Sequence, residues 1–209
     1  MARFPPFLDR DEAGRRLAAE LPVLDRPIVL ALPRGGVPVA AAVARAIGAP
    51  LDVFVVRKLG VPAQPELAMG AVASGGVRVL NEDVLRRARI SPAVLDEVTA
   101  RERAAVESRE RVYRGERSQQ ELAGLDVVLV DDGLATGATM RAAVAAVRAL
   151  GPMRVVVAVP VAPAETLAAF ARDGLEIACV HAPDDFVSVG SWYRDFGQVT
   201  DEEVIRLIS

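Results

Sequence analysis

Short runs of almost continuous apolar residues recur along the chain, and a turn or a helical pattern flanks each of them. Strands that are buried on both faces show this continuous apolarity, whereas strands with one solvent-facing side alternate between apolar and polar residues. The pattern therefore predicts four buried strands, at residues 27–32, 51–56, 126–130 and 154–161.

Alanine-rich helical patterns follow the first, third and fourth of these runs. They cover residues 38–47, 138–150 and 164–172, and each ends at or near a glycine, a common helix stop. Strand, turn, helix and strand in repetition are typical of a parallel sheet with helices packed on it. With a fifth strand at residues 175–180, the pattern predicts an α/β fold with a doubly wound, mainly parallel, five-stranded sheet.

The middle of the chain departs from this pattern. A glycine pair at residues 75–76 predicts a hairpin turn between two short extended segments. Residues 81–122 then hold few β-branched residues, and Ser91 followed by Pro92 is typical of a helix start. We expect a helical insertion, or hood, over one end of the sheet, within a single domain that spans residues 1–209.

Composition restricts the partners that the chain can have. With 209 residues, 52% of them apolar, the chain can bury a sizeable core. A net charge of -3 gives no general attraction to nucleic acid or to anionic membranes. The apolar stretches are too short for a membrane span, and residues 1–16 lack the apolar run of a signal peptide. We therefore expect a cytoplasmic protein with no nucleic-acid or membrane partner.

Histidine and cysteine occur once each, as His181 and Cys179. A disulfide within the chain and a zinc site built from several such ligands are therefore excluded. No nucleophile elbow of the G-x-S-x-G type is present to support a catalytic triad. An enzyme with this composition is expected to act through binding and electrostatics, with His181 and Cys179 as packing residues.

The segment with the strongest chemical signal is VVLVDDGLATGAT, at residues 127–139. A buried strand leads into two acids and then into a loop of small residues that opens a helix. Helix N-termini offer free amides to anions, and ligands lie at the carboxyl ends of parallel strands. Carboxylates suit sugar hydroxyls or hydrated Mg2+. The acids are Asp131 and Asp132, and the anion cradle consists of Ala135, Thr136, Gly137, Ala138 and Thr139.

This segment resembles the fingerprint of the type I phosphoribosyltransferase family, a hydrophobic strand, two acids and a T-G-x-T-like loop. The resemblance implies that the loop binds the 5-phosphate of 5-phosphoribosyl 1-diphosphate (PRPP), and that Asp131 and Asp132 bind its ribose hydroxyls or the Mg2+ cofactor. A plain strand-to-helix connection is the alternative interpretation. It would leave two consecutive acids at a buried strand end without a reason.

Two further basic elements resemble parts of the same family. Arg34, Gly35 and Gly36 follow the first strand and resemble its pyrophosphate loop, in which glycine amides and an arginine fork meet phosphate oxygens. Arg57 and Lys58, at the predicted end of the second strand, resemble a basic pair that meets the diphosphate. Lys58 is the single lysine of the chain. The resemblance implies catalytic roles for Arg34, Lys58, Asp131 and Asp132.

The acceptor site is expected towards the C-terminus. Residues 59–69 lie where the family keeps a mobile loop over the reacting centre. A loose resemblance to purine-base segments predicts that the acceptor contacts Phe186, Val187, Trp192 and Asp195. Aromatic residues in such a segment are more often packing residues, and this alternative stays open.

The resemblance implies transfer of a phosphoribosyl group from PRPP to a nitrogen acceptor, expected to be a nucleobase in nucleotide metabolism, with Mg2+ and release of pyrophosphate. An alternative is a PRPP-binding sensor or regulator with weak or no turnover. Transfer to a carbon or phosphate acceptor also stays open. The family further implies that the chain could form a homodimer.

Overall fold

A computed structural model describes residues 7–209 of the chain. Residues 1–6, part of the segment in which no signal peptide is expected, lie outside the described residues. The strands are β1 (Pro27–Ala31), β2 (Leu51–Val53), β3 (Val56–Val61), β4 (Gln64–Ala73), β5 (Val77–Leu80), β6 (Asp126–Val130), β7 (Arg154–Val161) and β8 (Glu176–His181). The helices are α1 (Arg10–Ala18), α2 (Gly36–Ile47), α3 (Glu82–Arg87), α4 (Pro92–Arg114), α5 (Ala138–Arg148), α6 (Ala164–Arg172) and α7 (Asp201–Ile208).

The central sheet has five strands, all parallel, in the order β2-β1-β6-β7-β8. This arrangement confirms the predicted fold class. All five residues of β6 are buried, because helices cover both faces of the sheet. Val128 and Val130 pack in the cluster that includes residues of α1, α2, α4 and α7. Val127 and Leu129 pack in the opposite cluster, with residues of α5 and α6.

A second, antiparallel sheet consists of β3, β4 and β5, and it changes the prediction for residues 51–69. The predicted second strand ends three residues early, at Val53, and the chain then enters β3. Residues 59–69, the predicted mobile loop, form most of the hairpin between β3 and β4, and their mobility stays a prediction. The hairpin is extended because Leu59, Val61 and Met69 are buried in the cluster that also holds Val98 of α4. The predicted hairpin turn at residues 75–76 is confirmed.

The predicted helical insertion is present as α3 and α4. Ser91 accepts a hydrogen bond from Val94 N and caps α4, and Pro92 occupies its first turn, as the sequence indicates. The long helix α4 packs on β3, β4 and α7, so it covers the antiparallel sheet rather than only an end of the parallel one. α1 and α7 have no counterpart among the predicted elements. Among residues 7–209, no helix is long and apolar enough to cross a membrane.

Candidate functional site

Two loops meet at the carboxyl edge of the central sheet. β1 and β6 are parallel neighbours, with Ala31 opposite Val130, so the segments that follow them leave the sheet side by side. Leu32 N donates to Val130 O at 2.9 Å and extends this pairing past the ends of the strands. The predicted pyrophosphate loop and the predicted acid pair are therefore brought together, although about 100 residues separate them in sequence.

The first loop contains two glycines because its backbone lies very close to the acid pair. A Cβ atom on Gly35 would lie 2.1 Å from Oδ2 of Asp132, and one on Gly36 would lie 2.9 Å from Cα of Asp131. Distances below about 3 Å do not occur for real Cβ atoms, so no other residue fits without a shift of the acids. The glycine pair thus permits close packing against Asp131 and Asp132, while the amide of the buried Gly36 donates to Leu32 O at 3.1 Å.

The acid pair is partly desolvated. Burial raises the pKa of Asp131 well above its usual range, and the nearby charge of Asp132 raises it further. Burial also raises the pKa of Asp132, while the guanidinium of Arg10 opposes that shift. Two neighbouring carboxylates in this setting favour a cation or hydroxyl donors as ligands.

The predicted phosphate loop precedes α5 with its small residues exposed at positions 135, 136, 138 and 139. Gly137, the N-cap residue, adopts φ 72° and provides no side-chain cap, and Thr136 Oγ1 accepts a long hydrogen bond from Ala138 N at 3.5 Å. Other side chains brace the loop from behind. Arg141 Nη1 donates to Thr136 O at 3.2 Å, and Thr166 Oγ1 donates to Ala135 O at 2.8 Å. The helix N-terminus is therefore presented to solvent by a fixed loop, the geometry that anions favour.

Gly137→Ala is expected to distort this loop. Its left-handed backbone disfavours a side chain, and a Cβ there would lie 2.5 Å from Cε2 of the fully buried Phe170. We expect the free energy of unfolding to fall by about 2 kcal/mol, from backbone strain and overpacking together, and PRPP affinity to fall with it. Urea unfolding and calorimetry measure the two effects.

Gly174→Ala is the matched control. Gly174 also has a positive φ, 68°, but its Cβ would meet open space. It should lose only the strain part, about 1 kcal/mol, and keep its PRPP affinity. Equal losses in the two variants would contradict a specific role for the Gly137 loop.

Arg34 lies at the rim of the site, close to an acidic side chain of α7. The Pro33–Arg34 peptide is cis, and Arg34 Nη1 lies 3.7 Å from Asp201 Oδ1 at the start of α7. Asp201 also accepts hydrogen bonds from Arg109 at 3.0 and 3.1 Å and from the Tyr113 hydroxyl at 2.9 Å. Asp201 therefore connects the predicted pyrophosphate loop to α4 and α7.

Arg57 and Lys58 do not act as a pair, because neighbouring residues of a strand point to opposite faces. Arg57 faces α4, where its Nη2 lies 2.9 Å from Glu102 Oε2. Lys58 is paired with Ala71 on the face that packs on α5, the helix that begins at the phosphate loop. Its Nζ lies 3.1 Å from Glu66 Oε2. The structure thus places Lys58 on the face of β3 towards α5 and Arg57 on the face towards α4.

Residues from both ends of the chain cover the acid pair, and the sequence did not predict them. Arg10 Nη2 and Nε lie 2.9 and 3.0 Å from Asp132 Oδ2. The Tyr193 hydroxyl donates to the carbonyl of Asp132 at 2.5 Å. Phe196 lies beside Tyr193, with ring centroids 5.0 Å apart. Arg10 is one of 24 arginines and is 122 residues from Asp132, so local sequence carries no signal for this pairing.

The predicted acceptor residues differ in their surroundings. Phe186 and Trp192 pack against the cluster around Phe7 and Tyr193, which fits the alternative of packing residues. Val187 is 85% exposed. Asp195 is also exposed, and its carboxylate accepts a hydrogen bond from Gly197 N. A role of these four residues in acceptor binding stays a prediction.

An open cleft lies beside α5. A cleft of about 540 Å³ separates this helix from the antiparallel sheet and the start of α3. Its helical wall begins at Ala138, in the predicted phosphate loop. A ligand held at the phosphate loop therefore has free space on this side as well. The wall residues of α5 are Ala138, Arg141, Ala142 and Ala145.

His181 and Cys179 are packing residues, as predicted. His181 is 7% exposed and lies beside the rings of Phe7 and Trp192. Burial raises the pKa of the Cys179 thiol to about 11. The thiol donates to the carbonyl of His181 at 3.1 Å. A thiolate nucleophile is therefore disfavoured at this position.

Comparisons with known proteins agree with the geometry. The chain is 48% identical to two proteins of Mycobacterium tuberculosis over 204 residues, which are 97% of the chain. These proteins are MT0597 of strain CDC 1551 and Rv0571c of strain H37Rv, both provisionally named phosphoribosyl transferases. The match spans 46% of the length of each of these relatives. The crystal structure of TT1426 from Thermus thermophilus is 47% identical, with a TM-score of 0.90 and 97% of both chains covered.

The model of the phosphoribosyl transferase domain family matches residues 12–173, which include both loops and the acid pair. The residues that cover the acid pair, Arg10 and Tyr193 among them, lie outside this match. Since the match takes in well over half of its residues, the chain belongs to the phosphoribosyl transferase domain family.

Proposed function

We propose that the chain is a phosphoribosyltransferase that moves the 5-phosphoribosyl group of PRPP to a nitrogen acceptor and releases pyrophosphate. One observation carries the proposal. The glycine loop packs against the acid pair so closely that Gly35 and Gly36 leave no room for a Cβ atom. An exposed helix N-terminus follows the same acid pair six residues later. A diol clasp and two anion sites thus share one sheet edge, as a phosphorylated ribose diphosphate requires.

Each part of the donor has a matching group in this arrangement. The amides and hydroxyls at residues 135–139 would hold the 5-phosphate. Asp131 and Asp132 would accept hydrogen bonds from the ribose hydroxyls. The Gly35 amide, together with Arg34 and Lys58, would meet the diphosphate, whereas Arg57 is turned towards Glu102.

The carboxylates of Asp131 and Asp132 suit a Mg2+ ion that binds together with the substrate. Among the described residues no group of three or more carboxylate, histidine or cysteine side chains could hold a metal. Mg2+ commonly uses one or two carboxylates together with water and substrate phosphates, and Asp131 and Asp132 would supply them. Because burial raises the pKa of Asp131, a cation beside it would stabilise its charged form. When bound, the ion would offset negative charge on the diphosphate.

The transfer breaks the bond between C1 of the ribose and the diphosphate oxygen, and forms a bond from C1 to the acceptor nitrogen. Negative charge builds on the leaving diphosphate, so donors that are already in place lower the barrier. The Gly35 amide, Arg34 and Lys58 would supply them, at about 3 kcal/mol for a well-placed donor. This chemistry requires no nucleophile from the protein, in agreement with the buried position of His181 and the raised pKa of the half-buried Cys179 thiol.

A PRPP sensor with little turnover is the second candidate, and one observation favours it. Charged side chains predicted to touch the donor are already engaged within the chain. Arg34 lies near Asp201, and Lys58 is paired with Glu66. Some of these pairs would have to open for the donor, which would slow turnover.

Pyrophosphate release from PRPP, across purine, pyrimidine and pyridine acceptors, separates the two candidates. The enzyme proposal expects release with one acceptor class, and loss of that release in Lys58→Ala, because the compact ammonium is removed. If none of the acceptors leads to pyrophosphate release although PRPP binds tightly, the result would favour the sensor. The acceptor, a role in nucleotide metabolism, a cytoplasmic location and a homodimer stay predictions.

A further inference from the structure

Arg10 connects the acid pair to the C-terminal end of the chain. Residues 192–197 form a segment beside Asp132 that we call the C-terminal cover. Arg10 lies between the two: besides its pairing with Asp132, Nη1 donates to Gly197 O at 2.8 Å. Its guanidinium carbon also lies 3.9 Å from the centroid of the Phe196 ring. One side chain thus contacts both the predicted ribose clasp and its cover.

The C-terminal cover is fastened to the start of the described chain by main-chain hydrogen bonds. Phe7 N donates to Trp192 O at 2.7 Å, and Arg194 N donates to Phe7 O at 2.8 Å. Asp195 N donates to Leu8 O at 2.9 Å. The segment that carries Arg10 and the cover therefore form one unit, and Arg10 joins this unit to Asp132.

The contact with Asp132 fixes the orientation of its carboxylate. Both bonds from Arg10 end on the same oxygen, Oδ2, so Arg10 does not engage Oδ1. The backbone of Gly35 also lies close to Oδ2 of Asp132, on another side. The side chains of Arg10 and Asp132 are only 11% and 13% exposed, so water screens the pair weakly. Asp132 is therefore held in one orientation before any ligand arrives.

We propose that Arg10 is a positioning residue that holds the Asp132 carboxylate for the ribose hydroxyls of the donor and couples it to the C-terminal cover. The inference rests on the proposed donor site. The inference goes beyond the proposed donor site because the family match covers residues 12–173. The match therefore includes neither Arg10 nor the C-terminal cover.

The test compares ligands with and without the ribose. PRPP carries the hydroxyls that Asp132 would bind, whereas inorganic pyrophosphate lacks them and would use the glycine loop, Arg34 and Lys58. Calorimetry in Mg2+ gives both affinities for wild type, Arg10→Gln, Arg10→Lys and Arg15→Gln. Arg15 is the matched control, since it lies on the same helix and forms an exposed pair with Asp11. Fluorescence of Trp192, the single tryptophan of the chain, reports on the cover.

Arg10→Gln is expected to weaken PRPP binding about tenfold, because a ligand-binding group loses its support. Pyrophosphate affinity should stay unchanged, and acrylamide quenching of Trp192 should increase. Arg10→Lys keeps the charge but loses the fork and the flat ring contact, so its PRPP affinity should lie between wild type and Arg10→Gln. Arg15→Gln should match wild type in all three measurements.

Equal PRPP affinity in wild type and Arg10→Gln would overturn the positioning role. So would an equal loss of PRPP and pyrophosphate affinity, which would indicate a general structural defect. Wild type that binds pyrophosphate but not PRPP would instead refute the proposed donor site, and the role of Arg10 with it.

Discussion

Asp131→Asn combined with Asp132→Asn is expected to abolish Mg2+-dependent binding of PRPP. The amide side chains keep the shape of the two acids but remove both charges, so neither Mg2+ nor the ribose hydroxyls find a carboxylate. We expect a loss of affinity of at least about 100-fold, which corresponds to about 2.8 kcal/mol. Isothermal titration of PRPP with and without Mg2+ measures it.

The chain supplies a matched control for this experiment. Asp184 and Asp185 are also adjacent acids after a parallel strand, but they lie in a bend with no phosphate loop behind them. Asp184→Asn with Asp185→Asn should bind PRPP as wild type does. Arg10 loses its charged partner in the double variant at the site, so thermal unfolding must confirm that this variant is folded. Wild-type PRPP affinity in that folded variant would refute the proposed donor site.

Arg114→Leu is expected to lower the free energy of unfolding by about 3–5 kcal/mol. Arg114 is 7% exposed and joins α4 to the central sheet. Its Nε donates to both carboxylate oxygens of Asp52 at 2.9 and 3.1 Å, and its other nitrogens bond Glu110 and the carbonyl of Val53. Removal of the guanidinium would leave the buried carboxylate of Asp52 without its cation, which is costly.

Urea unfolding measures this loss. Arg111→Leu is the control, because Arg111 is exposed on the same helix and should change the free energy of unfolding by less than about 0.5 kcal/mol. A small effect of Arg114→Leu, similar to that of the control, would mean that the cluster around Asp52 contributes little to stability.

Local sequence sufficed for the central sheet and for the two loops at its edge. Buried parallel strands need continuous apolar runs, and the five strands lie where such runs occur. The acid pair and the phosphate loop are one continuous segment, so a single stretch of sequence contains the strand, the acids and the helix start. Gly35 and Gly36 were also found in this way, although their contact with the acids was not.

The remaining features depend on tertiary packing. Arg57 and Lys58 are neighbours in sequence, but the strand that contains them turns them to opposite faces. Arg34 lies near Asp201, which is distant in sequence, and the same holds for Arg10 and Asp132. Phe186 was predicted to contact the acceptor from a loose resemblance to purine-base segments, and its packing against the cluster of Phe7 and Tyr193 depends on residues distant in sequence. No local pattern encodes such contacts.

A crystal structure of the chain with PRPP and Mg2+ tests the central claim most directly. We expect the 5-phosphate within hydrogen-bonding distance of the amides at residues 136–139. The ribose hydroxyls should lie on Asp131 and Asp132, and the diphosphate should lie against Gly35 and Gly36. PRPP bound away from this sheet edge, or its absence from crystals grown in excess donor and Mg2+, would contradict the proposed site.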